Sequence, residues 1–396
     1  MNISFQKTYG VLFTLLAFSM PISVFITDCL IFLISALWIV EGNLKQKWYS
    51  IKSSKWMFSI IILFVFYWFG LLWGDFHQDA KWIIEKTALL LFLPILYSLK
   101  FCEKDLKNAI TGFIISMSLS SLIALLINYN IIPRLAKVND IFSNSYNISA
   151  FMSYNYHNLF LVFSIFLVVV SLFKLPFKKR NVFLLLSLVL MCFSLFTEAG
   201  RVGHVLFLVG AIFLTFHFFQ KRPIGLIFTF ALIASIFVLS IQYSDDFNRR
   251  VEETKENISN IKTSNFNSIS VRYNLWNYSL ELIKKQPLLG YGTGSFSSQF
   301  STLGPEISKN LEGQHKTPHN NFLYVFFELG IVGLFILLSI FYFQFKEYSK
   351  LSDRWIRSFF LILFLLSFFS DSYFQNHNSA ILYVFISLVL CRYPSK

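Results

Sequence analysis

Apolar runs long enough to cross a lipid bilayer recur along the chain, and they constrain its fold more than any other feature. Hydrocarbon offers no hydrogen-bond partner to a peptide group, so a run that crosses it is predicted to be helical. The 396 residues are 55% hydrophobic and only 14% charged, too few polar side chains to cover a soluble globule. The predicted spans are 8–23, 25–41, 56–73, 81–99, 108–128, 156–174, 181–198, 202–219, 223–243, 320–344, 355–373 and 377–392.

The sequence therefore predicts an all-α integral membrane protein of about twelve transmembrane helices with one large polar loop that contains helices. The predicted divisions are nine spans in 1–243, the loop in 244–319 and three spans in 320–396. Of the 34 lysines and arginines, 20 fall at the amino terminus and in the connectors on its side of the membrane. Because short cationic loops stay in the cytoplasm, the large loop is predicted to be external.

The large loop carries nine basic and eight acidic residues, which nearly cancel. The formal net charge of +13 therefore reflects membrane topology and does not indicate nucleic-acid binding. No nucleotide-binding motif and no cofactor site is expected. The cysteines suggest no disulfide framework and no thiolate metal site.

Within the loop, the sequence predicts a helix over 271–283 that Ser270 can cap. Leu275 and Leu282 would lie on its apolar face. Arg272 falls in the first turn, where a cation opposes the helix dipole, so local stability does not explain it. Arg272 is therefore a candidate for binding an anion.

Glycines are concentrated between Gly290 and Gly294. The pattern superficially resembles a phosphate loop, but no β-strand precedes it. A turn that needs positive φ is the favoured interpretation, and direct contact of Gly292 and Gly294 with substrate phosphate is the alternative.

His319 lies where the polar loop ends and hydrocarbon resumes, directly before Asn320. A neutral imidazole there is suited to accept a proton from a sugar hydroxyl. A helix cap or a polar group that snorkels to the interface is the alternative. His315 is four residues away, but Pro318 breaks the helix that a shared metal would require, so no metal site is predicted.

Arg201 lies at the outer junction between two predicted spans, where a charge usually has a partner or a task. An ion pair with Glu198 and ligand binding are the two interpretations. Arg201 and Arg272 together would suit a diphosphate, because guanidinium groups form bidentate, charge-assisted hydrogen bonds.

Taken in order, these pieces resemble the bacterial O-antigen ligase and O-antigen polymerase superfamily of membrane glycosyltransferases. The resemblance covers residues 197–335, and the earlier spans match in topology alone. It is carried by Gly200-Arg201, by Arg272 four residues before Trp276, by the stretch from Gln286 to Phe296, and by His319-Asn320-Asn321 leading into Glu328-Leu329-Gly330.

The resemblance implies a multi-helix bundle that uses undecaprenyl-diphosphate-linked glycans without metal, cofactor or ATP. It implies that Arg201 and Arg272 bind the donor diphosphate, and that His319 is the general base. Gly292, Gly294 and Asn320 are expected to contribute to substrate binding. The residue beside the first arginine is Gly200 in this chain, where the family often has a small or hydroxyl residue, so the resemblance does not define the donor contacts at this position.

The preferred interpretation is an O-antigen ligase that moves polysaccharide from undecaprenyl diphosphate to a lipid A-core sugar. Its expected location is the bacterial inner membrane, as a multi-pass protein among membrane lipids with the active site facing the periplasm. The alternative is an O-antigen polymerase, which joins lipid-linked repeats. A polysaccharide flippase or other transporter is a third class, and it would need no general base.

Overall fold

Long apolar segments form the helices of this chain, and short polar or proline-containing segments end them. The computed structural model describes residues 3–74, 78–133, 148–174, 179–259, 268–301 and 316–393. The helices before the first large gap are α1 Ile3–Ser19, α2 Val24–Val40, α3 Leu44–Ser53, α4 Lys55–Gly70, α5 Gln78–Ala88, α6 Phe92–Ser98 and α7 Glu103–Asn128.

The second half of the chain continues the same pattern. It contains α8 Tyr154–Lys174, α9 Lys179–Thr197, α10 Arg201–Phe219, α11 Pro223–Tyr243, α12 Asp245–Ser259, α13 Ser268–Lys285, α14 Phe296–Ser301, α15 Asn321–Tyr348, α16 Arg354–Ser367 and α17 His377–Arg392. Short 3-10 turns cover Leu89–Leu91 and Tyr373–Gln375. The antiparallel strands Ile148–Ser149 and Met152–Ser153 form a small ladder, so the described residues are overwhelmingly helical.

Every predicted span overlaps at least one helix. Five of the described helices are long and apolar enough by themselves to cross a membrane. These are α7, α8, α10, α11 and α15. The bent pair α2 and α3 would add a sixth if it were one span. A predominantly helical chain with five or six helices able to cross a membrane is thus confirmed, and the number of twelve crossings and the external loop stay predictions.

Three predicted spans differ most from the helices observed. The span 355–373 is helical only to Ser367 and again in the 3-10 turn that begins at Tyr373. Proline explains the other two differences. Span 81–99 is divided into α5, a 3-10 turn and α6, because Pro94 cannot donate to the carbonyl four residues earlier. The first span ends at Ser19, two residues before Pro21, instead of reaching 23.

The described chain divides into two compact units. The first contains residues 1–6, 33–101 and 254–396, and the second contains 7–32 and 102–253. In the first unit, α15 packs along α4, and Trp56, Tyr67 and Tyr324 are fully buried. In the second, α8 packs against α7, α9 and α10, and α10 also packs against α11. The predicted division into nine spans, a polar loop and three spans is a different property of the chain, and it stays a prediction.

Candidate functional site

His319, the last residue of the polar loop, lies directly before a helix cap in the first unit. The side-chain oxygen of Asn320 accepts hydrogen bonds from the backbone N–H groups of Phe322, at 3.0 Å, and Leu323, at 3.1 Å. This is the usual way to satisfy the first free donors of a helix. The cap fixes the start of α15 at Asn321 and leaves His319 immediately before the helix.

His319 is paired with an acid that comes from a distant part of the chain. Its Nδ1 lies 3.0 Å from Oδ1 of Asp371, in the connection between α16 and α17. An ionised carboxylate only accepts hydrogen bonds, so Nδ1 carries the hydrogen and donates it. The other ring nitrogen, Nε2, then has a lone pair that can accept a proton. The His319 side chain is one-third exposed.

Asp371 remains a carboxylate over a wide pH range. Burial raises its pKa, but the hydrogen bond and charge of His319 outweigh that effect. The N–H of Ser372, which donates to Oδ1 at 2.8 Å, and the charge of Arg272 lower the pKa further. The net result is a pKa below the ordinary value for aspartate. The pair is thus set up as an oriented imidazole with an anionic partner.

Arg272 reaches the same region through α13. This helix starts at Ser268, three residues before the predicted 271, and it buries Leu275 and Leu282 as expected. Nε1 of Trp276, one turn after Arg272, donates to the carbonyl of Pro318 at 3.0 Å. The helix carrying Arg272 is therefore tied to the residue beside His319.

The glycine-rich stretch docks on α15 through its backbone N–H groups. The N–H of Gly292 donates to the carbonyl of Glu328 at 2.8 Å, and the N–H of Gly294 donates to its carboxylate at 2.6 Å. The N–H of Phe296 donates to the other carboxylate oxygen at 3.2 Å, and that of Thr293 to the carbonyl of Gly70 at 3.0 Å. These donors already have acceptors within the protein, which favours the turn over a phosphate loop.

Side chains would not fit at these glycines. Gly292 has φ of 91° and Gly294 has φ of 88°, a region that L side chains rarely adopt. A Cβ at Gly292 would meet the backbone of Gly74, and one at Gly294 would meet Ala80. Contact of Gly292, Gly294 and Asn320 with substrate stays a prediction, because their described hydrogen bonds are structural.

Arg201 lies in the second unit, as the first residue of α10. Its Nη2 donates to Oε2 of Glu253 at 3.1 Å. Arg250 Nη1 donates to the same oxygen at 2.7 Å. Because Arg201 and the pair His319–Asp371 belong to different units, the convergence of Arg201 with His319 and Arg272 stays a prediction.

Glu198, the acid predicted as a possible partner of Arg201, is held by a buried polar cluster. His157 Nδ1 lies 2.8 Å from one carboxylate oxygen, which also accepts from Ser194 at 3.0 Å, and Ser149 donates to the other at 2.8 Å. Nε2 of His157 is 2.9 Å from the hydroxyl of Ser120. All five side chains are buried. Glu198 therefore has its own set of donors three residues before Arg201.

The sequence predicts His319 and Arg272 as site residues, and their roles stay predictions; it gives no prediction for Asp371. The available signal was weak, because Asp371 is the one acid in the connection between the last two helices and nothing local links it to His319. His315 lies outside the described residues. Among the residues that the structure does describe, no group of three or more His, Cys, Asp or Glu side chains is arranged to hold a metal ion.

Comparison with known proteins shows that part of this chain is similar to polysaccharide ligases. Residues 186–338 match the family model described as "O-Antigen ligase". A 92-residue segment is 35% identical to a protein of Rickettsia conorii, and a 94-residue segment is 31% identical to one of Rickettsia felis. Both are named "Putative polysaccharide ligase". The alignments cover 22% and 23% of each chain, so the chain matches about a fifth of the length of these relatives.

Proposed function

We propose that this chain is an O-antigen ligase. The premise is its place in the O-antigen ligase superfamily, supported by the family match of residues 186–338 and by the two similar ligases. It transfers polysaccharide from undecaprenyl diphosphate to a sugar of lipid A-core. The reaction takes place at the periplasmic face of the inner membrane, among membrane lipids, and uses no metal or nucleotide. The energy comes from the glycosyl diphosphate bond of the donor.

The proposed reaction is a single displacement at the anomeric carbon of the donor sugar. The acceptor hydroxyl gives its proton to Nε2 of His319 as its oxygen attacks that carbon. The bond between the carbon and the diphosphate oxygen breaks, and undecaprenyl diphosphate leaves with the electron pair. Charge builds up on the leaving diphosphate, so cationic side chains near it would stabilise the transition state.

One observation carries the proposal: Nδ1 of His319 lies 3.0 Å from Oδ1 of Asp371. The positive charge of Arg272 also lowers the pKa of Asp371. The aspartate fixes the tautomer in which Nε2 is the base, and it stabilises the imidazolium that forms. Arg272 supplies a guanidinium that cannot lose its proton. A base and an anion-binding group are what a glycosyl transfer with a diphosphate leaving group needs.

Arg201 is proposed as a second guanidinium for the same diphosphate. This assignment rests on the resemblance of Gly200-Arg201 to the family motif and on the family match, which includes the residue. Gly292 and Gly294 are proposed to shape the turn beside α15, and Asn320 to hold His319 at the helix start. Any direct contact of these three residues with substrate would add to those roles.

The decisive experiment uses purified full-length protein in detergent with undecaprenyl-diphosphate-linked glycan and lipid A-core. Glycosylated lipid A-core should form in the presence of a metal chelator and without nucleotide. Product joined only to a second lipid-linked repeat would instead identify a polymerase. Glycan movement across vesicles without any glycosidic product would identify a transporter and overturn the proposal.

Gene deletion gives an independent test in the cell. Loss of a ligase leaves lipid A-core without any O-antigen, because no other step joins the two. Loss of a polymerase leaves cores that carry a single repeat. Cores with one repeat after deletion would therefore contradict the ligase assignment.

A further inference from the structure

The start of α8 contacts the turn that precedes Arg201. This turn joins α9 to α10 and contains Glu198 and Gly200. His157 and Asn158 lie in the first turn of α8, and both side chains are fully buried. Nδ1 of His157 lies 2.8 Å from Oε1 of Glu198, and Asn158 packs against Gly200. Two consecutive residues of one helix therefore contact the turn at two points directly before Arg201.

The contact of His157 with Glu198 is supported from three other elements. Nε2 of His157 lies 2.9 Å from the hydroxyl of Ser120 on α7. Ser194 of α9 donates to Oε1 of Glu198 at 3.0 Å, and Ser149 of the first strand donates to Oε2 at 2.8 Å. The imidazole and the carboxylate are thus held in one arrangement, because each has hydrogen-bond partners besides the other.

Asn158 acts on the turn by packing. A Cβ at Gly200 would overlap the side-chain amide nitrogen of Asn158, and one at Gly203 would meet its Cβ. Gly200 has φ of −82°, outside the left-handed region, so the close approach of Asn158 is what requires glycine there. Among the described residues, neither polar atom of this amide has a hydrogen-bond partner. A buried amide of this kind opposes folding, so stability does not explain it.

The helices on both sides of the turn are also tied together. Nε2 of His204 lies 2.8 Å from the carbonyl oxygen of Leu195, which joins the first turn of α10 to the last turn of α9. Ser244 donates to the carbonyl of Phe196 at 2.9 Å. Because the flanking helices are fixed, a loss of contact at the start of α8 would be absorbed by the few residues that lead into Arg201.

The series Ser120, His157 and Glu198 also has the distances of a nucleophile, a base and an acid. Burial argues against that chemistry. All three side chains are buried, so an ester could not reach the hydroxyl unless the helices separated. A role in holding the turn is therefore the better interpretation of the same contacts.

We propose that His157 and Asn158 are positioning residues for Arg201, which hold the α9–α10 turn so that the guanidinium group is preorganised for a diphosphate. Naming that ligand rests on the proposed function, in which Arg201 binds the diphosphate of the donor. A cation that is already in place stabilises the leaving diphosphate without having to move as charge develops. Displacing the turn should therefore weaken donor binding and leave acceptor binding unchanged.

Two neighbouring serines of α7 test the role of His157. Ser120→Ala removes the hydroxyl that contacts His157, whereas Ser121→Ala, the matched control, removes one that donates to the carbonyl of Met117 in the same helix at 2.7 Å. Both serines are fully buried, so the two variants lose the same volume. The Kd of full-length protein in detergent for undecaprenyl diphosphate should rise about threefold in Ser120→Ala and stay at the wild-type value in Ser121→Ala. His157→Ala should raise it by about tenfold.

Asn158 is tested by exchanging volume across its contact with Gly200. Asn158→Ala and Gly200→Ala should each raise the Kd for undecaprenyl diphosphate, because the first frees the turn and the second displaces it. The double variant should recover most of the wild-type affinity, since the new Cβ at position 200 occupies space that the amide has left. Losses that add in the double variant would contradict the role of Asn158, because unrelated defects add and complementary ones cancel.

Steady-state kinetics and an Arg201→Ala background separate positioning from general destabilisation. His157→Ala should raise the donor KM and leave the acceptor KM unchanged. In Arg201→Ala protein, His157→Ala should cause no further loss of affinity for undecaprenyl diphosphate, because the group that it positions is gone. A full additional loss in that background would overturn the positioning role.

The outcomes also separate this inference from the proposed function. Wild-type protein that neither binds undecaprenyl diphosphate nor forms product would overturn the proposed function. Wild-type binding with equal Kd values for Ser120→Ala and Ser121→Ala would overturn the positioning role of His157 alone. Covalent labelling of Ser120 by a fluorophosphonate would overturn it as well, because it would identify a nucleophile that substrates can reach.

Discussion

His319 has an unusual backbone conformation, and this conformation aims its ring. Its φ is 51°, in the left-handed region that non-glycine residues occupy at a cost of about 1–2 kcal/mol. The conformation follows Pro318 and precedes the cap residue Asn320, and it places the imidazole against Asp371. Such strain persists only where neighbouring contacts enforce it, and it is concentrated at functional sites.

Replacing His319 should separate stability from activity. His319→Gly and His319→Ala should both abolish glycan transfer, because neither supplies a base. His319→Gly should be the more stable of the two by about 1 kcal/mol, since glycine adopts positive φ without strain. Thermal unfolding in detergent and the transfer assay measure the two properties. Near-normal transfer by either variant would remove the general-base role.

Asp371 should control the rate of reaction more than substrate binding. Asp371→Asn cannot hold the imidazolium by charge, so kcat should fall by about 10²- to 10⁴-fold with little change in donor KM. Asp353→Asn is the matched control, because it makes the same substitution at an aspartate directly before α16, and asparagine tolerates its φ of 57°. An Asp371→Asn variant with wild-type kcat would show that the pair is merely structural.

Asp371 also predicts how stability depends on pH. Its folded pKa is below the ordinary value, so its contribution is present above the unfolded pKa, about 3.9, and is lost as pH falls through the folded pKa. The wild type should therefore lose stability relative to Asp371→Asn below about pH 4. Thermal unfolding of the two proteins between pH 7 and pH 3 measures this difference. Parallel curves across that range would contradict the pairing.

Local sequence predicts some residues of the candidate site and misses others. His319 could be selected as a candidate because it lies at the boundary of a polar loop and an apolar run, where a helix cap or a snorkelling group is the alternative. Asp371 could not, since 52 residues separate it from His319 and only tertiary packing brings them together. Glu253 was likewise hidden, because Glu198 is nearer to Arg201 in sequence.

At the scale of elements, α15 is shaped by the loop that docks on it. Gly330 has φ of 64° and ψ of −165°, which breaks the helix. There the N–H of Ile331 donates to the carbonyl of Pro287 at 2.8 Å, and Glu328 receives the N–H groups of Gly294 and Phe296. A buried carboxylate inside an apolar helix is tolerated because it is satisfied by these donors.

The glycine turn should be intolerant of side chains. Gly292→Ala should reduce accumulation of folded protein, because the new Cβ would meet the backbone of Gly74 in addition to straining φ. Gly42→Ala is the matched control, since Gly42 has φ of 74° but no atom near its added Cβ. It should cost about 1 kcal/mol and fold normally. Detergent-stable yield on size exclusion measures both variants, and equal yields would contradict the packing argument.

Periodicity and length located the helices well, but not their interruptions. Every predicted span overlaps a helix, because an apolar run in hydrocarbon satisfies its backbone hydrogen bonds within the helix. The break at Gly330 needed a partner loop that approaches from Pro287, and no local pattern in 320–344 reveals that partner. The glycines between Gly290 and Gly294 predicted a turn with positive φ, but not the helix on which that turn packs.

At the scale of the whole molecule, charge distribution carries the orientation. The large loop has nearly balanced charge, whereas most cations of the chain lie in the connectors predicted to face the cytoplasm. The proposed chemistry depends on this orientation, because His319 and Arg272 lie in or beside the loop. A reversed topology would place the same residues on the side where the acceptor is not expected.

Site-directed labelling should establish the orientation. In a background with serine at Cys29, Cys102, Cys192 and Cys391, Glu256→Cys and Lys350→Cys introduce single thiols at exposed positions on opposite predicted sides. A membrane-impermeant maleimide added to cells with a permeabilised outer membrane should label Glu256→Cys and leave Lys350→Cys unmodified. Lys350→Cys should react only after the inner membrane is opened. The opposite pattern would place His319 in the cytoplasm, where a periplasmic ligase cannot operate.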